Sequence, residues 1–217
     1  LGEGFSSLHD NGRRIYQIRL SIEKDPVARQ TLLLRSFFRQ FPHGKAPARY
    51  YKYLRTDTGW DALLNTHKKQ WDKAEEEAWN AELGSEKDAM VDKRIRTALG
   101  RQNRNWMLIG GPPCQAYSVA GRVKLQNNEG FKHDDRHFLY REYLRIVAKH
   151  QPAVFVMENV KGILSSKVKG ERIFPQILED LQDPRGAIRP NARKRVHYRL
   201  VSLVDGSEWI NTNSETS

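Results

Sequence analysis

The sequence predicts an α/β fold with a mostly parallel sheet flanked by helices, and three stretches carry that prediction. Residues 106–109 form an apolar run with the length of a buried strand, and residues 153–160 form a second one. Between them, residues 134–150 carry apolar side chains at the i, i+3, i+4, i+7 spacing of a helix. Such a crossover is nearly always right-handed and joins parallel strands. The carboxyl ends of both strands should therefore meet at one edge of the sheet.

Upstream of this unit, the sequence predicts another strand followed by a helix. Residues 15–22 alternate between apolar and polar side chains, as a half-buried strand does. Asp25 is a suitable N-cap, and Pro26 is a suitable first helical residue. The apolar face of this helix is expected to run as far as Pro42. Four residues form that face: Val27, Leu34, Phe38 and Phe41.

A helical insertion is predicted at about residues 60–100, which are rich in Lys, Glu and Ala. Four apolar residues there lie at helical spacing: Trp71, Ala74, Ala78 and Trp79. Further along, the pattern predicts a helix at residues 176–181 and a strand at residues 196–204. Residues 185–199 contain six Lys or Arg and no acidic residue.

The composition limits the class of protein. A net charge of +11 and a pI of 9.8 suggest a polyanionic partner, because basic surfaces gain from releasing the counterions condensed on phosphates. A single cysteine excludes an intramolecular disulfide, and no apolar run approaches the roughly 18 residues of a membrane span. We therefore expect a cytoplasmic protein from a reducing compartment, with no membrane partner.

The only cysteine, Cys114, follows the first predicted strand through two glycines and two prolines. Prolines fix φ and remove backbone donors, so the thiol is held at the tip of the strand. A lone cysteine is by itself more often a core residue than a nucleophile. Glu158, however, lies where the second strand should end. If the strands are neighbours, about 4.8 Å apart, Cys114 and Glu158 face one pocket at the edge where α/β sheets bind ligands.

The chain carries three strings that occur together in one known family: GGPPCQAYS, DDRHFL and MENV. They resemble the cysteine-bearing motif, the D-x-R-x-x-L segment and the glutamate-bearing motif of the DNA cytosine-5 methyltransferases, in the family's order and spacing. The resemblance covers residues 1–30 and 105–205, and we find none between them. It implies a Rossmann-like fold dependent on S-adenosylmethionine, with a partial catalytic domain at residues 1–205 and a tail at 206–217.

The resemblance implies a covalent mechanism on double-stranded DNA. The Cys114 thiolate would add to C6 of a cytosine turned out of the duplex, and S-adenosylmethionine would supply the methyl group for C5. Glu158 would hydrogen-bond N3 and the exocyclic amine, and it would serve best protonated. Burial beside apolar strand residues is expected to favour that state.

The resemblance also implies binding residues. LGEGF resembles the tail of the F-x-G-x-G cofactor loop, so we expect the chain to begin inside that loop, and Glu23 matches the acid that binds ribose hydroxyls. No metal site is expected. The implied cofactor residues are Gly2, Gly4, Glu23, Lys24, Pro113 and Leu139. The implied substrate residues are Pro112, Gln115, Ser118, Arg122 and Asn159.

Several questions stay open in the sequence. The family's Q-x-R-x-R motif and target-recognition region are not identified, so the chain alone is expected to be inactive and its target sequence cannot be read. A tRNA cytosine-5 methyltransferase shares PPCQ and ENV, and a catalytically silent DNA-binding subunit or an unrelated α/β domain with a chance motif are further alternatives. If the protein is bacterial, we expect association with the nucleoid and a cognate restriction endonuclease as a candidate functional partner.

Overall fold

The computed structural model describes residues 1–100, 105–112, 136–165, 167–168, 171–193 and 195–209. The chain divides into two compact units, Leu1–Arg101 and Gln102–Ser217. Each unit mixes helices with short strands, and the described residues of each include a parallel strand pair, which confirms the α/β class. In the part of the chain that is described, no helix is both long and apolar enough to cross a membrane.

The first unit contains six helices and two strand pairs within its described residues. The helices are α1 (Gly2–Ser6), α2 (Pro26–Arg39), α3 (Ala48–Thr56), α4 (Trp60–Thr66), α5 (Lys68–Glu77) and α6 (Asp88–Leu99). Strand β1 (His9–Asp10) pairs antiparallel with β2 (Arg13–Arg14). Strand β3 (Ser21–Glu23) pairs parallel with β4 (Ala78–Asn80).

Helix α2 begins as predicted, and its predicted face packs in the core except at Val27. The Asp25 side chain accepts hydrogen bonds from the backbone N–H groups of Val27 and Ala28, at 2.7 and 2.9 Å, and Pro26 is the first helical residue. Val27, however, is 70% exposed, whereas Leu33 and Phe37 are buried. The prediction is therefore wrong for Val27, whereas Phe41 is buried and Leu34 and Phe38 pack against the same core as Leu33 and Phe37. Phe37 is the centre of this packing, because five aromatic rings surround it: those of Phe41, Tyr50, Trp60, His67 and Trp71.

Two predictions around β3 and β4 are corrected. The strand predicted at residues 15–22 is confined to Ser21–Glu23, and the helix predicted through Ala78 and Trp79 ends at Glu77. Ala78 and Trp79 instead pair with Ser21 and Ile22. The two errors have one cause, because a strand is defined by its hydrogen-bonding partner, and β4 offers β3 only three residues.

The second unit is built on the predicted crossover. Strand β5 (Met107–Gly110) pairs parallel with β6 (Val154–Met157), and α7 (Arg136–His150) connects them. The predicted helical face is confirmed by four buried residues: Tyr140, Tyr143, Leu144 and Val147. They share one apolar core with Ile163, Ile177, Leu181 and Leu200.

The rest of the second unit covers this core. After β6 come a 3-10 helix (Lys161–Ser165), an antiparallel pair β7 (Lys167–Val168) and β8 (Glu171–Arg172), and helices α8 (Ile173–Gln182) and α9 (Pro184–Ile188). Helix α8 contains the helix predicted at residues 176–181. The chain then forms an antiparallel pair from β9 (Leu200–Val201) and β10 (Glu208–Trp209).

The strand predicted at residues 196–204 is confined to β9, which contains only Leu200 and Val201. Leu203 and Val204 lie in a turn and are 82% and 95% exposed. The Ser202 hydroxyl accepts hydrogen bonds from the N–H groups of Val204 and Asp205, at 3.2 and 3.4 Å. Such local bonds between side chain and backbone compete with strand pairing and favour a turn.

Candidate active site at the strand ends

Glu158 lies directly beyond β6, next to the loop that leaves β5. In the parallel register Gly110 is paired with Met157, and the Glu158 N–H donates to the Gly110 carbonyl at 3.1 Å. The predicted adjacency of the two strands is therefore confirmed. The carboxyl ends of both strands lie at the same edge, as the crossover rule requires.

Gly111 and Glu158 are in close contact at this edge. A Cβ added to Gly111 would lie 2.7 Å from Oε1 of Glu158, 2.9 Å from its carbonyl oxygen and 3.0 Å from Cδ. Real Cβ atoms essentially never approach other atoms to within 3.0 Å. The carboxylate thus uses the space that a side chain at position 111 would need.

Asn159 ties the two strand ends together. Its side-chain Nδ2 donates to the Pro112 carbonyl at 3.5 Å, and its Oδ1 accepts a hydrogen bond from the Val160 N–H at 2.9 Å. The carbonyl of Pro112, one of the implied substrate residues, therefore already receives a hydrogen bond within the protein. Pro112, Glu158 and Asn159 are the predicted site residues that the structure brings together.

The environment of Glu158 differs from the one expected. Glu158 is exposed, while Asn159 is half-buried. The expected burial of Glu158 among apolar strand residues is wrong, because this residue follows the last residue of β6 and lies over a loop. The same position leaves its carboxylate open to a molecule approaching the strand ends.

Tyr143 supports the strand ends from the side of α7. Its hydroxyl donates to the Val156 carbonyl at 3.2 Å, and a ring carbon lies 3.2 Å from where a Cβ on Gly110 would be. Burial raises the pKa of Tyr143 well above its usual range, so the hydroxyl remains a donor. The sequence indicated a core residue here but not this bond. The one available signal was a hydroxyl on an apolar face, which needs a partner when buried.

Several predicted site residues cannot be compared with this geometry. Pro113, Cys114, Gln115, Ser118 and Arg122 lie outside the described residues. Leu139 belongs to the first turn of α7, and its side chain is likewise outside the description. Where the structure describes the chain, no group of three His, Cys, Asp or Glu residues is arranged to hold a metal ion.

In the first unit, Glu23 is the last residue of β3. Its Oε1 accepts a hydrogen bond from the Asp25 N–H at 2.9 Å. Its carbonyl accepts from the Asn80 side chain at 2.8 Å and from the Ala81 N–H at 3.1 Å. Asn80 was missed by sequence reasoning because its stretch was predicted to be helical, and an asparagine that ends a strand has no distinctive pattern.

The other predicted cofactor residues of the first unit have different surroundings. Lys24 is exposed and forms an ion pair with Glu82 at 3.0 Å. Gly2 and Gly4 lie within α1, where the sequence predicted the end of a loop. A Cβ on Gly2 would lie 3.3 Å from Cδ1 of Ile18, whereas a Cβ on Gly4 would meet nothing within 4 Å.

The chain matches both a protein-family model and individual known proteins. The model of the C-5 cytosine-specific DNA methylase family matches residues 58–184, more than half of the chain. The Type II methyltransferase M.Bpa9945I of Bacillus paralicheniformis is 30% identical over 221 residues, which cover 94% of this chain and 47% of that protein. The match begins at residue 58, so the resemblance includes part of the stretch where the motifs alone indicated none.

Two further relatives match shorter stretches. The Type II methyltransferase M.FnuDI of Fusobacterium nucleatum is 38% identical over 41% of this chain and 24% of its own length. The Type II methyltransferase M.BspRI of Lysinibacillus sphaericus is 39% identical over 46% of this chain and 19% of its own length. The chain thus spans about half the length of the first relative and a quarter or less of these two. No solved structure was found to match it.

Proposed function

This chain belongs to the C-5 cytosine-specific DNA methylase family, and we propose that the protein transfers a methyl group to C5 of cytosine in double-stranded DNA. The observation that carries the proposal is the pairing of β5 with β6, because it joins Glu158 to the loop two residues before Cys114. The net charge of +11 supports a nucleic-acid substrate.

The proposed nucleophile is Cys114. C5 of cytosine is too poor a nucleophile to take a methyl group unaided, so the thiolate first adds to C6 and the ring electrons become available at C5. C6 is inaccessible in a duplex, and the cytosine must therefore rotate out of the stack. After methylation, a base removes the C5 proton, the C6–S bond breaks and Cys114 leaves as thiolate.

Glu158 is proposed to hold and polarise the cytosine ring. In its protonated form the carboxyl group donates to N3 while its other oxygen accepts from the exocyclic amine, which favours attack at C6. Its exposed position beside Gly111 supports this role, because the base must reach it from solvent. We propose that Asn159 and Pro112 hold the loop against β6 during that contact.

S-adenosylmethionine is the proposed cofactor, and it supplies the methyl group when bound. The residues of the first unit fit such a group. One carboxylate oxygen of Glu23 is taken by the Asp25 N–H, which leaves Oε2 without a hydrogen bond from the described residues and available to a ribose hydroxyl. Gly4 borders open space, so a ligand can approach its backbone closely. Gly2, Lys24, Pro113 and Leu139 are the further residues proposed for this site.

We also propose the finer description of the fold that the family implies. Residues 1–205 would form a catalytic domain of the Rossmann-like class, with a helical insertion at about residues 60–100 that is interrupted by β4. Residues 206–217 would form a tail whose first residues, in β10, pair with β9. A parallel strand pair in each unit supports this assignment. Gln115, Ser118 and Arg122 are proposed to contact DNA.

A role in restriction and modification is proposed from the relatives, which are named Type II methyltransferases. The protein would then protect DNA from a cognate endonuclease with the same target. Plasmid DNA isolated from cells that express the full-length protein should resist cleavage by that endonuclease, whereas plasmid from cells without it should be cut.

The central test changes the proposed nucleophile in the full-length protein. Cys114→Ala should abolish transfer of labelled methyl groups to duplex DNA, and it should also abolish the covalent complex with DNA that contains 5-fluorocytosine. DNA affinity should remain close to that of the wild type. Glu158→Gln should reduce turnover far more than DNA affinity.

Three outcomes would contradict these assignments. Turnover that survives Cys114→Ala would exclude this thiol as the nucleophile. Equal losses of turnover and DNA affinity in Glu158→Gln would indicate a structural role for Glu158. Methyl transfer to tRNA but not to duplex DNA would favour the tRNA methyltransferase that shares these motifs.

A further inference from the structure

We propose that Arg39 is a positioning residue of the cofactor site, which acts by holding Glu3 and thereby the backbone of α1. The inference rests on the proposed function, because α1 carries Gly2 and Gly4. It also gives a role to Glu77, which lies in the stretch predicted as a helical insertion.

Arg39 lies at the end of α2 and is buried between two carboxylates. Its side chain is 7% exposed and forms ion pairs with Glu77, at 2.5 Å, and with Glu3. Glu77 is also 7% exposed, whereas Glu3 is 48% exposed. The Arg39 carbonyl accepts a further hydrogen bond from Arg14 at 2.5 Å. The guanidinium is thus held between two carboxylates, and the Arg39 backbone is held by Arg14.

The carboxylates of Glu77 and Glu3 have different roles. A buried guanidinium needs a charged partner, because removing a charge from water is costly. Glu77 is equally buried and meets that need alone. Glu3 is not required to keep Arg39 buried, so the effect of the second ion pair falls mainly on Glu3 and on the helix that carries it.

Helix α1 depends on such contacts. It has five residues and no side-chain cap, and helices of this length are unstable without tertiary packing. Glu3 lies between Gly2 and Gly4, and glycines restrict the backbone least of all residues. An ion pair at Glu3 therefore restrains the two positions where a cofactor would contact the main chain.

The same guanidinium connects α1 to the strand pair that ends at Glu23. Glu77 is the last residue of α5 and directly precedes β4, which pairs in parallel with β3. Arg39 therefore joins Glu3, 36 residues away, to Glu77, 38 residues away. Both proposed cofactor elements of the first unit are fixed through one buried side chain.

The test measures cofactor affinity in the full-length protein with two variants, Glu3→Gln and Arg39→Lys. Glu3→Gln removes the charge that α1 presents to Arg39. Arg39→Lys keeps the cation but loses the fork that reaches two carboxylates at once. Loss of a charge-assisted hydrogen bond predicts a Kd for S-adenosylmethionine that is about tenfold higher by calorimetry.

A kinetic measurement separates positioning from a general structural effect. Glu3→Gln should raise the KM for S-adenosylmethionine, while kcat at saturating cofactor, DNA affinity and the melting temperature stay near the wild-type values. Asp72→Asn is the matched control, because it also removes one carboxylate from an ion pair, with Lys68 on the exposed side of α5. The control should leave cofactor affinity unchanged.

Each result of these measurements either supports or overturns the role proposed for Arg39. Weaker cofactor binding in both variants, with normal DNA affinity and melting temperature for Glu3→Gln, supports the inference. Unchanged cofactor affinity, or a loss that only parallels a lower melting temperature, overturns it. Wild-type protein that binds no S-adenosylmethionine overturns the proposed function and this inference together. If the wild-type protein binds S-adenosylmethionine and both variants bind it equally well, the inference alone is overturned.

Discussion

The carboxylate of Glu158 lies in the space that a side chain on Gly111 would need. A Cβ at position 111 would approach Oε1 of Glu158 to 2.7 Å and its carbonyl oxygen to 2.9 Å. One of these atoms belongs to a side chain that can rotate, but the other belongs to the backbone at the end of β6. The position of Glu158 therefore depends on the absence of a side chain at Gly111.

Gly111→Ala should displace the Glu158 carboxylate and reduce methyl transfer in the full-length protein. A displacement of about 1 Å in a reacting group costs on the order of a hundredfold in rate, so we expect a loss of that size in kcat. Cofactor affinity should not change. The measurement is single-turnover methyl transfer to duplex DNA, with calorimetry for the cofactor.

Gly110→Ala is the matched control for this prediction. Its new Cβ would meet only the ring of Tyr143, at 3.2 and 3.5 Å, and not the Glu158 side chain. We expect a modest loss of stability and a smaller loss of kcat than for Gly111→Ala. Wild-type turnover in Gly111→Ala would show that the position of the carboxylate does not matter.

Asn159→Asp removes one hydrogen bond at the strand ends and adds a negative charge beside the Pro112 carbonyl. The aspartate keeps an oxygen that can accept from the Val160 N–H but loses the amide that donates to the Pro112 carbonyl. Because that bond is long, at 3.5 Å, its removal should cost no more than about 1 kcal/mol of stability. Turnover should fall further than stability suggests, since the loop carries Cys114.

Thermal unfolding and single-turnover kinetics on Asn159→Asp would measure these two effects. Asn159→Ala removes both hydrogen bonds and should be the less stable variant. Equal turnover in Asn159→Asp and the wild type would mean that the Pro112 bond does not hold the loop during catalysis.

Tyr143→Phe should destabilise the second unit by about 1 kcal/mol, because the Val156 carbonyl loses its donor. Methyl transfer should be nearly unchanged, since the ring and its packing against Gly110 remain. Chemical denaturation of the variant and the wild type gives the difference in the free energy of unfolding.

The same tyrosine predicts a pH dependence of stability. Burial raises the pKa of Tyr143 in the folded chain, while the unfolded chain keeps a value of about 10. The neutral side chain therefore makes its full contribution to the free energy of unfolding below pH ~10. That contribution is lost as the pH rises above this value, because the tyrosine ionises first in the unfolded chain. Wild-type stability should fall more steeply than that of Tyr143→Phe in alkaline buffer, and parallel curves would contradict the assignment.

The turn between β9 and β10 should weaken in acid. Hydrogen bonds from Ser202 and Ser207 lower the pKa of Asp205 to about 2. The carboxylate therefore stabilises the turn above its unfolded pKa of roughly 3.9, and this effect is lost as the pH falls toward 2. The backbone amide signals of Ser207 and Gly206 should shift over that interval, and Asp205→Asn should remove the transition.

What could be predicted from the sequence was local or motif-based. The buried face of α7 follows from apolar residues at the helical period, and the start of α2 follows from Asp25 and Pro26, which act on the next few residues alone. The adjacency of β5 and β6 was also predictable, because a crossover of this length leaves parallel strands few alternatives. The family was recognised from three strings of residues and is confirmed by a match over most of the chain.

The sequence by itself therefore determined the α/β class, the family and the crossover that carries Glu158. Only the tertiary structure decided where β3 and β4 begin and end, and that Leu33 and Phe37 are the most buried apolar residues of α2. It alone also decided how Gly111 contacts Glu158 and how Arg39 contacts Glu3 and Glu77. The physical reason is the separation along the sequence between the residues that interact. Helical periods and caps depend on neighbours within a turn, whereas strand pairing and buried ion pairs depend on residues dozens of positions away, whose side chains meet only after the chain has folded.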